Sequence, residues 1–374
     1  MKLNRLLALV LSGSLALSVT VGNAPFAFAA SADSNETSTS QTNGVEVEQL
    51  DGSDYDLDLT RDDAVTQDNL DDTISPDEDV RVIIVMDGDS VVSANSAAVY
   101  SNDTAAQMEE IKAAQDKVIA DIEETALDGD DLTVSYQYSW LVNGVAATVP
   151  YGKLSDIESV DGVDKVVMQT VYEPCSTDET TSSNIVYPRT ISDGQMIGRE
   201  DTWAQGYKGE GMKIAIIDTG LDTDHQNFAA LPDEVLTDTS LTQADIDGVL
   251  TSLNAYERYS GLTSADLYYN TKVAYGFNYV DNSLDITHDN DTEGDHGTHV
   301  AGIAAANKVD ESEVVGVAPN AQLMVMKVFG SNGGAYTEDW VAGMEDAMML
   351  GADVINMSLG SNAGFTTDVD WVNE

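Results

Sequence analysis

The sequence predicts an α/β fold in its second half, a parallel sheet with flanking helices, preceded by a smaller α+β domain. Two patterns carry this prediction. From about residue 196 onward, short apolar runs such as residues 213–217 (KIAII) are typical of parallel strands that are covered on both faces. Residues 80–173 instead combine strand-like runs with an amphipathic stretch whose apolar residues recur at helical spacing.

The composition excludes several classes of protein. The chain has 374 residues, 42% of them hydrophobic, so it can bury a sizeable core. Sixteen basic residues against 66 acidic ones give a net charge of −50, which argues against nucleic-acid binding because phosphate contacts need lysine and arginine. The single cysteine, Cys175, excludes an internal disulfide and a zinc site built from cysteines.

Residues 1–30 have the pattern of a secretory signal peptide. Lys2 and Arg5 precede a mostly apolar run, and a small-x-small sequence follows at 27–29 (AFA). A permanent membrane anchor is the alternative, but the apolar run is short for a membrane span. We expect a secreted or cell-envelope protein that meets the membrane only through this segment or through a C-terminal anchor beyond residue 374.

The segment between the signal peptide and the α/β half divides into three parts. Residues 31–79 are rich in carboxylates, and we expect a disordered acidic spacer because so little apolar surface cannot offset the ordering entropy. Residues 80–173 predict the ferredoxin-like order β-α-β-β-α-β, with a tight hairpin at Asn143-Gly144. Residues 174–195 read as an exposed linker. The elements predicted for the α+β domain are strands at 80–86, 132–142, 145–149 and 165–172, and helices at 105–124 and 153–160.

The α/β half, residues 196–374, contains the candidates for chemistry. Asp218 follows the apolar run 213–217, and open α/β sheets build their sites at the carboxyl ends of such strands, although an aspartate there could also simply cap a turn. His296 begins a helix of small residues. Further strands are predicted at 323–329 and 353–359, a helix at 337–350, and a polar insertion at 229–271.

The sequence allows two other interpretations of these residues, a zinc site and a serine nucleophile. His296 and His299, with Glu293 or Asp295, could hold zinc, but the sequence His-Glu-x-x-His is absent. Ser358 could be a nucleophile, but the Gly-x-Ser-x-Gly elbow is absent, and 358–360 (SLG) fits better as an extended edge that pairs with a peptide.

Four blocks in this order resemble the subtilisin family of serine peptidases. The long gap between Asp218 and His296 is similar to that of the cell-envelope proteinases of Gram-positive bacteria, the lactocepin type, and residues 80–173 resemble the family's inhibitory propeptide. The blocks are 216–220 (IIDTG), 296–302 (HGTHVAG), 316–319 (GVAP) and 354–360 (VINMSLG), and the block 272–279 (KVAYGFNY) resembles the lactocepin branch.

The resemblance implies a subtilisin-like parallel sheet and an Asp-His-Ser mechanism. Asp218 would orient His296, His296 would be the general base, and His299 would be structural. Protein or peptide substrates would pair as an added strand between two edges. The chain's own propeptide would occupy the same cleft until the chain is cut between Tyr172 and Met196. The implied substrate edges are Gly333, Gly334 and Ala335 on one side and Ser358, Leu359 and Gly360 on the other.

The sequence also departs from the family pattern. After Ser358 the only serine is Ser361, which lacks the Gly-Thr-Ser-Met-Ala context of the nucleophile, so we expect the nucleophile and the oxyanion-binding Asn beyond residue 374. On this expectation the chain is a precursor fragment whose sheet is incomplete and which is inactive alone. The alternative is an inactive propeptide-like inhibitor, chaperone or binding paralogue.

The resemblance requires no cofactor for catalysis, but it allows a structural calcium ion. Asp222, Asp224 and Asn227 follow Asp218 at positions where family members often place a calcium ligand. Asn227 stands where an aspartate is usual, which weakens this expectation.

Overall fold

A computed structural model describes residues 74–174, 194, 196–287, 294–307, 314–330 and 334–360. The predicted signal peptide and nearly all of the predicted spacer and linker lie outside these residues. Among the helices that are described, none is both long and apolar enough to cross a membrane.

The N-terminal domain is a four-stranded antiparallel sheet with two principal helices. Its strand order is β2-β3-β1-β4, and its chain order is β-α-β-β-α-β apart from one additional short helix. The helix at 102–125 begins at Ser101, whose side chain and backbone exchange hydrogen bonds with Thr104. The elements are β1 Asp79–Met86, α1 Val91–Ala94, α2 Asn102–Thr125, β2 Thr133–Tyr138, β3 Gly144–Pro150, α3 Leu154–Glu158 and β4 Val163–Met168.

The two faces of this sheet serve different purposes because strand side chains alternate between them. Val82 and Ile84 pack on Ile122 and Ile157 from the domain's own helices. Ile83 and the β2 tyrosines point the other way and join the core of the α/β half. The N-terminal domain therefore shares its second apolar face with its neighbour.

The α/β half is built on a parallel sheet of order β10-β6-β8-β7. Alternate residues of β6 serve the two helical layers: Ile217 packs with the layer containing Val341, and Ile216 with the layer containing Ala301. The subtilisin-like parallel sheet with flanking helices is thus confirmed. The strands are β6 Lys213–Asp218, β7 Val273–Asn278, β8 Gln322–Lys327 and β10 Val354–Met357, and the flanking helices are α4 Arg199–Ala204, α8 His296–Ala305 and α9 Thr337–Met349.

The polar insertion 229–271 folds as short helices packed against the α/β half. Two of them begin with reciprocal side-chain caps, at Thr242 with Asp245 and at Thr263 with Asp266. The helices are α5 Gln243–Val249, α6 Asn254–Arg258 and α7 Ser264–Leu267.

Two strand predictions were wrong. The strand predicted at 132–142 ends at Tyr138, and residues 139–143 form a loop, so the connection is not a tight Asn-Gly hairpin. The strand predicted at 165–172 is two strands, β4 and β5 Val171–Pro174. In both places the chain leaves its own sheet because partners from the α/β half take up its backbone groups, as described below.

A small third sheet forms where the two halves meet. Strand β5 lies between β9 Ala335–Tyr336 and β11 Leu359–Gly360, and it is antiparallel to both. Two of its strands, β9 and β11, follow the parallel strands β8 and β10 in the chain.

Candidate active site

Asp218 is the last residue of β6 and is only 1% exposed. Its Oδ1 accepts a hydrogen bond of 2.7 Å from the backbone N–H of Thr219. The ammonium of Lys327, at the end of the adjacent strand β8, donates to the carbonyl oxygen of Thr219 at 2.6 Å. Two strand ends therefore hold this turn, and with it the carboxylate, in one place.

His296 begins α8 and meets the carboxylate. Its Nδ1 lies 2.8 Å from Asp218 Oδ1. A carboxylate only accepts, so the neutral imidazole must carry its proton on Nδ1, and Nε2 then carries a lone pair. This arrangement can take a proton from a hydroxyl group, and the buried carboxylate can stabilise the imidazolium that results.

A glycine allows the helix to approach the strand this closely. Gly297 N–H donates to Thr219 Oγ1 at 2.9 Å. A Cβ at Gly297 would overlap the carbonyl oxygen of Gly220 and lie 3.1 Å from Asp218 Oδ1. The contact between Asp218 and His296 therefore depends on residue 297 being a glycine.

His299, one turn along the same helix, is exposed. Within the described ranges there is no group of three or more His, Cys, Asp or Glu side chains placed to hold a metal ion. For the calcium expectation, Asn227 offers one buried amide oxygen that has no hydrogen-bond partner among the described residues. The calcium site stays a prediction.

The two predicted substrate edges lie on either side of β5. On one side Tyr172 pairs with Ala335, and on the other Glu173 pairs with Gly360. Gly334, with φ of 77°, precedes the first edge, and a Cβ there would overlap the Val171 side chain. Pro174 pairs with Leu359, Ser358 is buried and donates to Asn356 Oδ1 at 3.0 Å, and Gly333 lies outside the described residues.

The side chain of Tyr172 points into the α/β half. Its ring meets that of Trp340 edge-on, at 90° and 5.9 Å between centroids. Burial raises the pKa of the Tyr172 phenol above its usual value. The strand β5 is thus anchored both by backbone pairing and by one aromatic side chain.

Sequence reasoning missed the carboxylates of α9. Glu338 Oε1 accepts from the guanidinium of Arg81 at 2.6 Å, and Glu345 Oε1 accepts from the backbone N–H groups of Trp140 and Leu141 at 3.0 and 2.6 Å. Both glutamates are buried. Helical periodicity marks only the apolar face of α9, so no local signal distinguishes these carboxylates from solvated ones.

Asp218 and His296 thus form a carboxylate–imidazole pair at the carboxyl edge of a parallel sheet, and two strand edges of the same half hold the extended strand β5. Comparison with known proteins agrees with the resemblance to subtilisin-like peptidases. Residues 209–373 match the subtilase family, and the family assignment extends to this domain alone.

The chain is similar to long bacterial proteinases over part of their length. It is 34% identical over 277 residues to the PI-type proteinase of Lactococcus lactis subsp. cremoris, a match that covers 72% of this chain and 13% of the relative. It is 31% identical over 251 residues to the minor extracellular protease Vpr of Bacillus subtilis strain 168, covering 64% of this chain and 26% of the relative.

Among solved structures, fervidolysin from Fervidobacterium pennivorans aligns with a TM-score of 0.42 and 17% identity. That alignment covers 79% of this chain and 38% of the other.

Proposed function

We propose that this chain is the front part of an exported serine endopeptidase precursor, in which Asp218 and His296 are two members of a catalytic triad. The observation that carries the proposal is the 2.8 Å contact between His296 Nδ1 and the buried Asp218 carboxylate. His296 would remove the proton from a serine hydroxyl as it attacks the peptide carbonyl, then return it to the leaving amine.

The attacking serine would come from a segment downstream of residue 374. The family order places the nucleophile after the Ser-Leu-Gly edge, and here Ser361 is the only serine after Ser358. The Asn that donates to the oxyanion belongs to the same downstream region on this proposal. Residues 1–374 would then supply the base, its orienting carboxylate and the two substrate edges.

Residues 80–173 would act as the inhibitory propeptide. Support comes from β5, which follows directly on this domain and fills the space between the two edges in antiparallel register. An extended substrate would use the same backbone groups, so the domain must leave before substrate can bind. The linker 174–195 continues from β5, which favours self-cleavage between Tyr172 and Met196.

Export is proposed on two grounds. The first is the signal-peptide pattern of residues 1–30. The second is the likeness to a protease whose name describes it as extracellular. The substrates would be proteins or peptides able to adopt an extended conformation.

The test is peptide hydrolysis by the product of the whole reading frame that contains this chain. We expect His296→Ala to lower kcat by on the order of 10⁶, as measured for removal of the corresponding base in subtilisin. The exposed His299→Ala is the matched control and should keep activity within about twofold, since exposed substitutions away from the site are usually tolerated. Full activity of His296→Ala would overturn the proposal, and loss of activity in His299→Ala would instead favour the metal hypothesis.

A further inference from the structure

The insertion 229–271 contacts the N-terminal domain through residues other than those of β5. Its helix α6 packs beside α9, and strand β2 of the N-terminal domain lies against both helices. Tyr136 and Tyr138 of β2 are buried there. The hydroxyl of Tyr138 donates to the Glu338 carbonyl of α9 at 2.8 Å. The insertion and α9 thus both contribute to this docking surface.

Three side-chain contacts join the insertion to three separate elements of the N-terminal domain. The Tyr100 hydroxyl lies 2.8 Å from Ser252 Oγ. Lys112, on helix α2, forms an ion pair with Glu257. Attachment at separate points on a loop, a helix and a strand defines the orientation of the whole domain, which one contact cannot do.

The third contact places a cation over an aromatic ring. The guanidinium of Arg258 lies 4.9 Å from the centroid of the Tyr136 ring. Arg258 Nε donates to Asn282 Oδ1 at 2.9 Å, which holds the side chain in position from the other side. Tyr136 is 2% exposed, so the interaction is shielded from water on the side of the ring.

The insertion also contacts Glu345, whose carboxylate accepts hydrogen bonds from a loop of the N-terminal domain. Asn254 Nδ2, in α6, donates to Glu345 Oε2 at 3.2 Å. The other oxygen of Glu345 accepts the backbone N–H groups of Trp140, Leu141 and Val142. These three amides belong to the loop that replaced the predicted hairpin, so α6 acts on the N-terminal domain both directly and through Glu345.

We propose that the insertion 229–271 is a docking element for the chain's own N-terminal domain, which it recognises through Lys112, Tyr100 and Tyr136. The inference rests on the proposed function in one respect, the role of that domain as an inhibitor. The docking itself does not depend on catalysis. An N-terminal domain without these three groups would lose its side-chain attachment to the insertion and would still contact α9 and the edges beside β5.

Amide hydrogen exchange of the full-length protein in the His296→Ala background, where the linker stays intact, tests this proposal. The amides of Trp140, Leu141 and Val142 are protected only while they donate to Glu345. Lys112→Glu and Glu257→Lys should each speed their exchange about threefold, because each places like charges together at a partly exposed site. The double variant, which restores opposite charges, should return the exchange to the original rate.

Two controls separate docking from general destabilisation. Lys153→Glu breaks an exposed ion pair with Asp128 inside the N-terminal domain, and it should leave the three amides unchanged. The amide of Ile216 in the sheet core reports global unfolding, and its exchange rate should not change in these variants.

A further variant tests the cation–aromatic contact. Arg258→Met keeps the apolar stem but removes the cation, and it should speed exchange of the loop amides about fivefold.

The proposal is overturned if the single charge reversals leave the loop amides unchanged, or if the double variant exchanges as fast as the two singles combined. Exchange does not measure peptidase activity. A failed hydrolysis assay with the expected exchange pattern would therefore remove the catalytic proposal and leave the docking element standing. Normal hydrolysis with unchanged exchange in the charge-reversal variants would contradict only the docking proposal.

Discussion

Asp218 and His296 are 78 residues apart in the chain, yet one hydrogen bond joins them. Each side chain has a local reason for its place. Asp218 ends an apolar strand, and His296 starts a helix whose second residue is glycine. The carboxylate–imidazole contact needs only that these two local structures meet, and Thr219 Oγ1 connects them by accepting a hydrogen bond from the Gly297 N–H.

Asp346, another buried carboxyl group, makes a pH-dependent contribution to the free energy of unfolding. Burial raises the pKa of Asp346 from 3.8 to about 7, even though Asn254, Ala255 and Tyr279 donate hydrogen bonds to it. Between about pH 4 and 7 the folded protein therefore holds a proton that the unfolded chain releases. This contribution to the free energy of unfolding falls as pH rises through that range and is constant above it.

Asp346→Asn should flatten this dependence. Urea unfolding of the original protein and the variant at pH 5, 6 and 7 gives the difference in slope, which we expect to approach about 1.4 kcal/mol per pH unit for one proton. Asp164→Asn, an exposed residue of β4, should keep the original slope. Parallel pH curves for the original protein and Asp346→Asn would show that this carboxyl group does not hold the proton.

At the scale of elements, α8 carries the base and depends on close packing against the strand ends. Gly297→Ala would force the helix away from Gly220, and we expect a loss of about 1–3 kcal/mol in the free energy of unfolding. Gly302→Ala is the matched control on the same helix, because nothing lies within 4 Å of its Cβ position. It should stabilise the protein by about 0.5–1 kcal/mol, since alanine is the better helix former.

Thermal unfolding of the two variants measures this difference directly. The melting temperature should fall for Gly297→Ala and rise or stay constant for Gly302→Ala. If both alanines shifted it in the same direction by the same amount, the close approach of α8 to Gly220 would not be a determinant of stability.

Elements also show how far the sequence predicts the structure. The strands around Asp218 were predictable because uninterrupted apolar runs reflect burial on both faces, a property of the strand itself. The break between β4 and β5 was not predictable, since it involves the side chain of Gln169, which accepts from the Glu338 N–H and donates to the Glu338 carboxylate 169 residues away. The loop at 139–143 likewise depends on Glu345, which is 204 residues from Leu141.

The candidate site also contains residues that the sequence predicts and residues that it does not. Short motif blocks predicted Asp218, His296 and the edge 358–360, because each block has its own local pattern, whereas the edge 333–335 followed only from the family resemblance. The buried face of α9, with Glu338 and Glu345, depends on which domain covers it, and periodicity within one helix carries no information about that partner. Long-range contacts between domains are therefore what the sequence alone did not predict.

At the scale of the whole molecule, the N-terminal domain contacts the α/β half through strands, a loop and a helix. Its strand β5 fills the cleft, its loop donates to Glu345, and its helix α2 meets the insertion through Lys112. On the proposed function this domain is an inhibitor, and β5 occupies the edges that an extended substrate would use. On this account activity requires the linker to be cut and the domain to leave.

Maturation of the whole reading frame's product tests this account most directly. The original protein should yield a product whose first residue lies between 172 and 196, and the His299→Ala control should be cut in the same way. His296→Ala should accumulate uncut, because the base needed for self-cleavage is missing. If N-terminal sequencing found His296→Ala cut at the same position and rate as the original protein, the cut would be made by another protease, and self-maturation at this site would be contradicted.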